Sequence, residues 1–338
     1  MKNKGIAILV IMLMVILSAC GGSKSNGTAS ESDSGNKEEV NIRIGSHLAP
    51  EHSVVKTAEK FKELVAEKSE GRIKVTIHPS GELGDQKELV EGLQLGTIEM
   101  AINDAGLLAN FVPEVGILDM PYLFEDYDHV HQVFDGEVGS TLQEKMADKG
   151  IRSLAWFDSA FRSTFLTKKT ESIDELKGIK IRTPEAPSVI ETVKSWDAVA
   201  TPLPWGELYT AMETGVVDGF EGSAESIYSA KMYEVSKYLV KTEHIFTALS
   251  LNMSDTFFKG LSEEDQKLIS EAALEAGEYG RQLAMDLDEE YFNKLVEEGL
   301  EVVEVDKTPF IEKAESIVDE YAKEVNAVDL VEKIREIK

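Results

Sequence analysis

From residue 40 onward the chain alternates short strand-like segments with amphipathic helical ones, and this alternation restricts the fold more than any other feature. "VNIRIGS" (40–46) switches between apolar and polar residues, the period of a half-buried strand. Residues 51–70 place Val54, Val55, Ala58, Phe61, Leu64 and Val65 on one helical face, and Gly71 ends the helix. "RIKVTIHPS" reads as a second strand and "TIEMAIN" as a third, with a Gly-rich turn and a short helix closed by Gly96 between them. This order is that of an α/β domain with a largely parallel sheet. A helix is expected near 127–149, followed by the strand "GIRSLAWF" (150–157).

The pattern then restarts. "FRSTFLT" and "GIKIRT" read as strands, with a helix near 186–197 before the strand "AVATPLP". "GELYTAMETG" reads as a helix, "VVDGFEG" as a strand leading into a turn, and "HIFTALSLNMS" (244–254) as a strand crossing back to the first sheet. A helical run over 262–298 holds Gly277 and Gly280, each costing about 1 kcal/mol in an exposed helix, which allows a kink. The C-terminal segment is helical. The expected architecture is an α/β clamshell of two domains: 40–158 with about 247–287, and 159–246 with about 288–338.

The residues before 40 carry different signals. Lys2 and Lys4 precede an apolar run, Gly5 to Leu17, too short for a comfortable membrane span. The small residues Ser18 and Ala19 then lead to Cys20, the single cysteine of the chain. The stretch resembles the lipobox of bacterial lipoproteins, so residues 1–20 are expected to be a lipoprotein signal peptide with Cys20 lipidated. Residues 21–39, rich in Gly, Ser, Asn and charge, cannot bury enough surface to fold and read as a flexible tether. The expected location is the outer face of the cytoplasmic membrane.

A formal charge of −27 over 338 residues makes nucleic acid or anionic lipid a poor partner. It says little about a small ligand, because charges more than about 8–10 Å apart are screened at physiological salt. No G-x-S-x-G elbow, P-loop or G-x-G-x-x-G after a strand occurs. His129 and His131 fall two apart in an expected helix and point away from each other, so no shared metal is expected. No cofactor is expected.

Two arginines do carry information. Arg162 in "SAFRSTFLT" and Arg182 in "GIKIRTPEAP" fall at or near strand ends of the second domain. Ligands of open α/β sheets bind beyond the carboxyl ends of strands, and Arg can grip a carboxylate through two parallel charge-assisted bonds. Each could equally pair with a nearby acid.

The chain resembles the solute-binding proteins of tripartite ATP-independent periplasmic (TRAP) transporters, the DctP-type family. The landmarks are "HPSGELGDQKELVEGLQLGTIEMAI", "LKGIKIRTPEAP", "PLPWGELYTAMETGVVDGFEG" and "YEVSKYLVKTEHI", in this order, within about 40–330. The resemblance implies a periplasmic-binding-protein-like clamshell with central mixed sheets, strand crossovers and long C-terminal helices. It implies binding without chemistry, with Arg182 in a salt bridge to the carboxylate of a small organic acid and Arg162 as a second arginine of the site. A sugar acid such as a uronate or aldonate is favoured, and a C4-dicarboxylate is next. Further expected site residues are Glu221, Gln86, His47, His52, Asn103, Asp104, Trp205 and Ser223. The family's Asn after "D-G-x-E" falls here on Gly222, so Ser223 or Glu225 is expected to reshape that wall. The expected partners are the small and large permease subunits, and the chain reads as a monomer. A tethered hydrolase of acidic sugars and a ligand-sensing partner of a membrane kinase are the rival readings.

Overall fold

The computed structural model describes residues 39–337; the expected signal peptide, Cys20 and all but the last residue of the expected tether lie outside the described residues. β1 (Val40–Gly45), α1 (Ser53–Lys68), β2 (Ile73–His78), α2 (Gln86–Leu95) and β3 (Met100–Asp104) open the fold. α3 (Ala105–Leu108), α4 (Tyr127–Asp135) and α5 (Glu137–Asp148) then lead to β4 (Ile151–Leu166). β5 (Lys180–Thr183), α6 (Pro187–Ser195), β6 (Val199–Pro202), α7 (Leu208–Glu213), β7 (Gly219–Gly222) and α8 (Ala224–Ser229) follow. β8 (Tyr238–Ser254), α9 (Asp255–Gly260), α10 (Glu263–Glu297), β9 (Glu301–Val303), α11 (Thr308–Glu324) and α12 (Val328–Glu336) complete it.

Among the described residues all nine strands belong to one mixed sheet, ordered β2-β1-β3-β8-β4-β7-β5-β6, with β9 beside β8. β1 pairs in parallel with β2 and β3, and β5 in parallel with β6 and β7. Between these parallel groups runs a long antiparallel pair, β8 against β4. The sheet therefore has a first half (β1–β3) and a second half (β5–β7), joined by two strands of 16 and 17 residues.

Local chemistry explains the elements near the site. His52 caps α1, its Nδ1 accepting from the Val54 amide, and the apolar stripe from Val54 to Val65 is buried. Asp85 caps α2 by accepting from the Gln86 amide, and Gly96 closes α2 in the left-handed conformation that glycine adopts without strain.

The structure corrects four expectations. The helix near 127–149 is two helices, broken at Gly136, which takes an extended conformation between them. The strands at 150–157 and 161–167 are one continuous strand, because β4 absorbs the polar stretch around Asp158 and Ser159 as a register shift against β8. The crossing strand starts at Tyr238 rather than near 244. β9, within "LEVVEV", was unexpected; it is too short to show a period and is specified by its pairing with β8. The run over 262–298 is a single helix of 35 residues. Its glycines are there for close packing: a Cβ on Gly277 would lie 3.1 Å from the Ala155 Cβ, and one on Gly280 would lie 2.6 Å from Thr57 Oγ1.

The core is divided. Ile44, Phe61, Phe157 and Ile269 belong to a cluster on the α1 side of the first half, and Leu93, Leu118, Phe134 and Phe246 to one on its other side. In the second half, Phe165, Phe220 and Leu295 form one cluster, and Ile181, Trp196 and Phe310 another. α10 and α11 bridge the halves. α10 contributes Ile269 to the first half and Leu295 to the second; α11 contributes Val318 and Phe310 in the same way.

Candidate functional site

Strand pairing assembles the site. β7 lies between β4 and β5, with Glu221 opposite Thr164 on one side and Phe220 opposite Arg182 on the other. This sets Arg162 and Arg182 along one edge of a cavity between the two halves of the sheet, with Glu221 behind Arg162. The cavity encloses about 70 Å³. Arg162, Arg182, Trp205, Ser159 and Ser226 line it with Asp85, Gln86, Asp104, His47 and Thr247. That is room for several water-sized groups.

The two arginines differ in kind. Arg182 is only 2% exposed. Its Nε and Nη2 donate to one acceptor, the Leu203 carbonyl, at 2.9 and 2.6 Å, and its guanidinium stands 5.6 Å from the Trp205 ring. Among the described residues no carboxylate lies within ion-pair distance of it. Burial without a charged partner pulls its pKa down to about 10. Arg162 is already paired. Its Nε donates to Glu221 Oε2 and its Nη2 to Oε1 at 2.6 Å, a two-pronged contact, while Nη1 reaches Thr247 Oγ1 at 3.3 Å. Glu221 is fully buried. Burial alone would raise its pKa, but Arg162 more than offsets this and holds it at about 2. His244, buried and kept neutral by desolvation, stands 3.7 Å from the same carboxylate.

The facing wall comes from the first half. Gln86 and Asp104 lock together: Gln86 Nε2 donates to Asp104 Oδ2 at 3.0 Å, and the Asp104 amide donates to Gln86 Oε1 at 2.9 Å. That fixes which end of the Gln86 amide faces His47 Nε2, 3.4 Å away. His47 must accept there, so its proton sits on Nδ1. Burial lowers the His47 pKa and keeps the ring neutral. Asp85, also on the cavity wall, accepts from the Trp205 amide through Oδ2 at 3.1 Å.

Of the residues expected from sequence, Arg182, Arg162, Gln86, His47, Asp104 and Trp205 line the cavity. Glu221, Asn103 and Ser223 sit one layer behind. Glu221 is spent on Arg162, Asn103 donates to the Gln86 carbonyl at 3.3 Å, and Ser223 bonds Ser159 and Ser226. His52 is also behind the wall, against Ser226. Gly222 does line the cavity, and a Cβ there would touch Ile227 at 3.0 Å; Glu225 turns away to Ser53. Asp85, Ser159, Ser226 and Thr247 were missed. Asp85 has a readable signal, a capping acid before "QKELV"; the other three are single small polar residues with none. Among the described residues no group of three or more His, Cys, Asp or Glu is placed to hold a metal, and no helix is long and apolar enough to cross a membrane.

The cavity gathers arginines, carboxylates and hydroxyls on its walls. The chain is 31% identical to the 2,3-diketo-L-gulonate-binding periplasmic protein YiaO of Escherichia coli K12 over 88% of this chain and 92% of that one. Solved TRAP periplasmic solute-binding proteins superpose with a TM-score of 0.85. That of Polaromonas sp. JS666, bound to D-erythronate, is 32% identical and is matched over 89% of this chain and 99% of that one. That of Xanthobacter autotrophicus Py2, bound to β-D-galacturonate, is 27% identical, over 88% of this chain and 100% of that one. Residues 44–324 match the model of the bacterial extracellular solute-binding proteins of family 7, DctP, and the chain belongs to this TRAP solute-binding family, whose members bind rather than transform their ligands.

Proposed function

We propose that the chain captures a small hydroxylated monocarboxylic acid, with Arg182 as the anchor of the carboxylate. The observation that carries this is the unpaired, buried Arg182 guanidinium at the cavity edge. Arg162 has its charge matched by Glu221, so it supplies orientation more than net attraction. On the facing wall, Asp104 and Asp85 accept hydrogen bonds and would repel a second carboxylate. A sugar acid, uronate or aldonate, therefore ranks ahead of a C4-dicarboxylate. The D-erythronate and galacturonate held by the similar proteins support the same class.

In this reading two lobes, 40–158 with about 247–287 and 159–246 with about 288–338, hinge on β4 and β8, and α12 packs back against α5 of the first. Closure gains contacts from both walls, and the closed protein hands its acid to the small and large permease subunits. The protein acts as a monomer, lipidated on Cys20 and tethered to the outer face of the cytoplasmic membrane. A thermal-shift screen of the protein against uronates, aldonates, C4-dicarboxylates and keto acids tests this. A ligand at 100 times its Kd stabilises by about 2.7 kcal/mol. A shift with a uronate or aldonate that Arg182→Ala abolishes supports the reading. A shift with dicarboxylates alone, or one that the variant retains, overturns it.

A further inference from the structure

A chain of buried polar groups runs from the cavity wall to the start of α1, and the binding reading does not use it. Glu225, in the first turn of α8, belongs to the second half of the fold; α1 belongs to the first. The Glu225 carboxylate accepts from the Ser53 amide at 2.7 Å through Oε1 and from the Ser53 hydroxyl through Oε2. It thus satisfies a first-turn N–H of a helix on the other side of the cleft. Beside it, His52 Nδ1 accepts from the Val54 amide, so the ring carries its proton on Nε2 and donates to Ser226 Oγ at 3.0 Å. Ser223 also donates to Ser226 Oγ, at 2.9 Å. With two donors on its oxygen, Ser226 has its own hydroxyl proton left to give, and Ser226 lines the cavity. Ser223 in turn stands 3.2 Å from Ser159, which also lines it.

We infer that the α1–α8 junction is the closure latch of the cleft: Glu225 is a positioning residue that ties the halves together, and Ser226 links the latch to the bound ligand. The Glu225–Ser53 and His52–Ser226 bonds join the two halves, so opening breaks them together. None touches Arg182, so the latch governs how long the cleft stays shut and leaves first capture to the anchor. This rests on the cleft closing around a ligand, as proposed above.

The test is stopped-flow binding of D-glucuronate and D-erythronate by the full chain, with small-angle scattering of the ligand-free protein. Glu225→Ala should raise the dissociation rate about 10-fold or more and leave the association rate within about twofold, since hydrogen bonds to charged groups carry roughly that weight. Glu225→Gln, which keeps an acceptor for the Ser53 amide, should recover most of the loss; a purely structural defect would change folding stability in both variants instead. Ser226→Ala should raise dissociation in the same way. An unchanged dissociation rate in Glu225→Ala overturns the latch. Should that variant fail to fold, Ser53→Ala replaces it with the same criterion. If neither acid binds, the ligand reading has failed, and scattering decides the latch. A larger radius of gyration for Glu225→Ala than for wild type supports it, and an equal one overturns it.

Discussion

Replacing Arg182 by methionine separates anchoring from packing, because Met keeps the apolar stem and removes the charge. In the ligand-free protein the guanidinium is a burden. Burial pulls its pKa from the ordinary arginine range down to about 10, which at 1.36 kcal/mol per unit is roughly 3 kcal/mol against the charged form. That cost is present at every pH below about 10. Two bonds to the Leu203 carbonyl offset part of it, since an interaction with a charged group returns about 1.5–3 kcal/mol. Arg182→Met should therefore leave the ligand-free melting temperature level with wild type or above it. The bound state reverses the sign. A carboxylate on the free edge of the guanidinium gains charge-assisted bonds, and losing about 3 kcal/mol of them weakens Kd about 100-fold. Calorimetric unfolding with and without D-glucuronate or D-erythronate measures both effects on one sample. A variant that melts several degrees lower without ligand would show that Arg182 is a structural cation. A variant that binds within threefold of wild type would show that the carboxylate lies elsewhere.

Three further substitutions probe the surroundings. Glu221→Gln breaks a buried ion pair and should cost about 3–5 kcal/mol at pH 7. Because the Glu221 pKa is depressed to about 2, that contribution is present above its ordinary value near 4.5 and fades as pH falls toward 2, so unfolding curves of variant and wild type should converge in acid. Asp119 is 3% exposed, bonded by Ser188 at 2.9 Å, and burial pushes its pKa up to about 7. Its charged form opposes folding, so Asp119→Asn should stabilise by ~4 kcal/mol at pH 8 and by less than ~1 kcal/mol at pH 4, read from denaturant midpoints. Gly280→Ala puts a Cβ 2.6 Å from Thr57 Oγ1, and the overpacking of about 1–3 kcal/mol should exceed the ~1 kcal/mol gained in helix propensity. Adding Thr57→Ala should restore the melting temperature.

The parts legible in the sequence are those written in local periods. The apolar face of α1 and the glycine stop of α2 can be read from a dozen consecutive residues. Arg182 is also visible this way, at the end of a four-residue strand before a proline. What escapes is whatever depends on a distant partner. Nothing near Arg162 announces Glu221, 59 residues away, which arrives only because β7 pairs with β4. The continuity of β4 is hidden because "DSA" at 158–160 reads as a break, whereas β8 bridges it as an irregularity. Ser159, Ser226 and Thr247 are single hydroxyls whose value lies in where two strands and a helix deliver them.

The long strands have a consequence for how such a protein can change. β4 carries Arg162 and Ser159, β8 carries Thr247, and the same two strands are the connection about which the halves would move. The grip and the axle are one piece of backbone. A substitution that alters the bend of this ribbon also shifts the groups that contact the cargo, and a substitution that retunes those groups alters the bend. With the closure proposed above, selectivity and release speed would be mechanically geared to each other in the middle of the cleft. Independent adjustment is left to contacts such as Asp85 with Trp205 and Glu225 with Ser53, which join the halves without belonging to the axle.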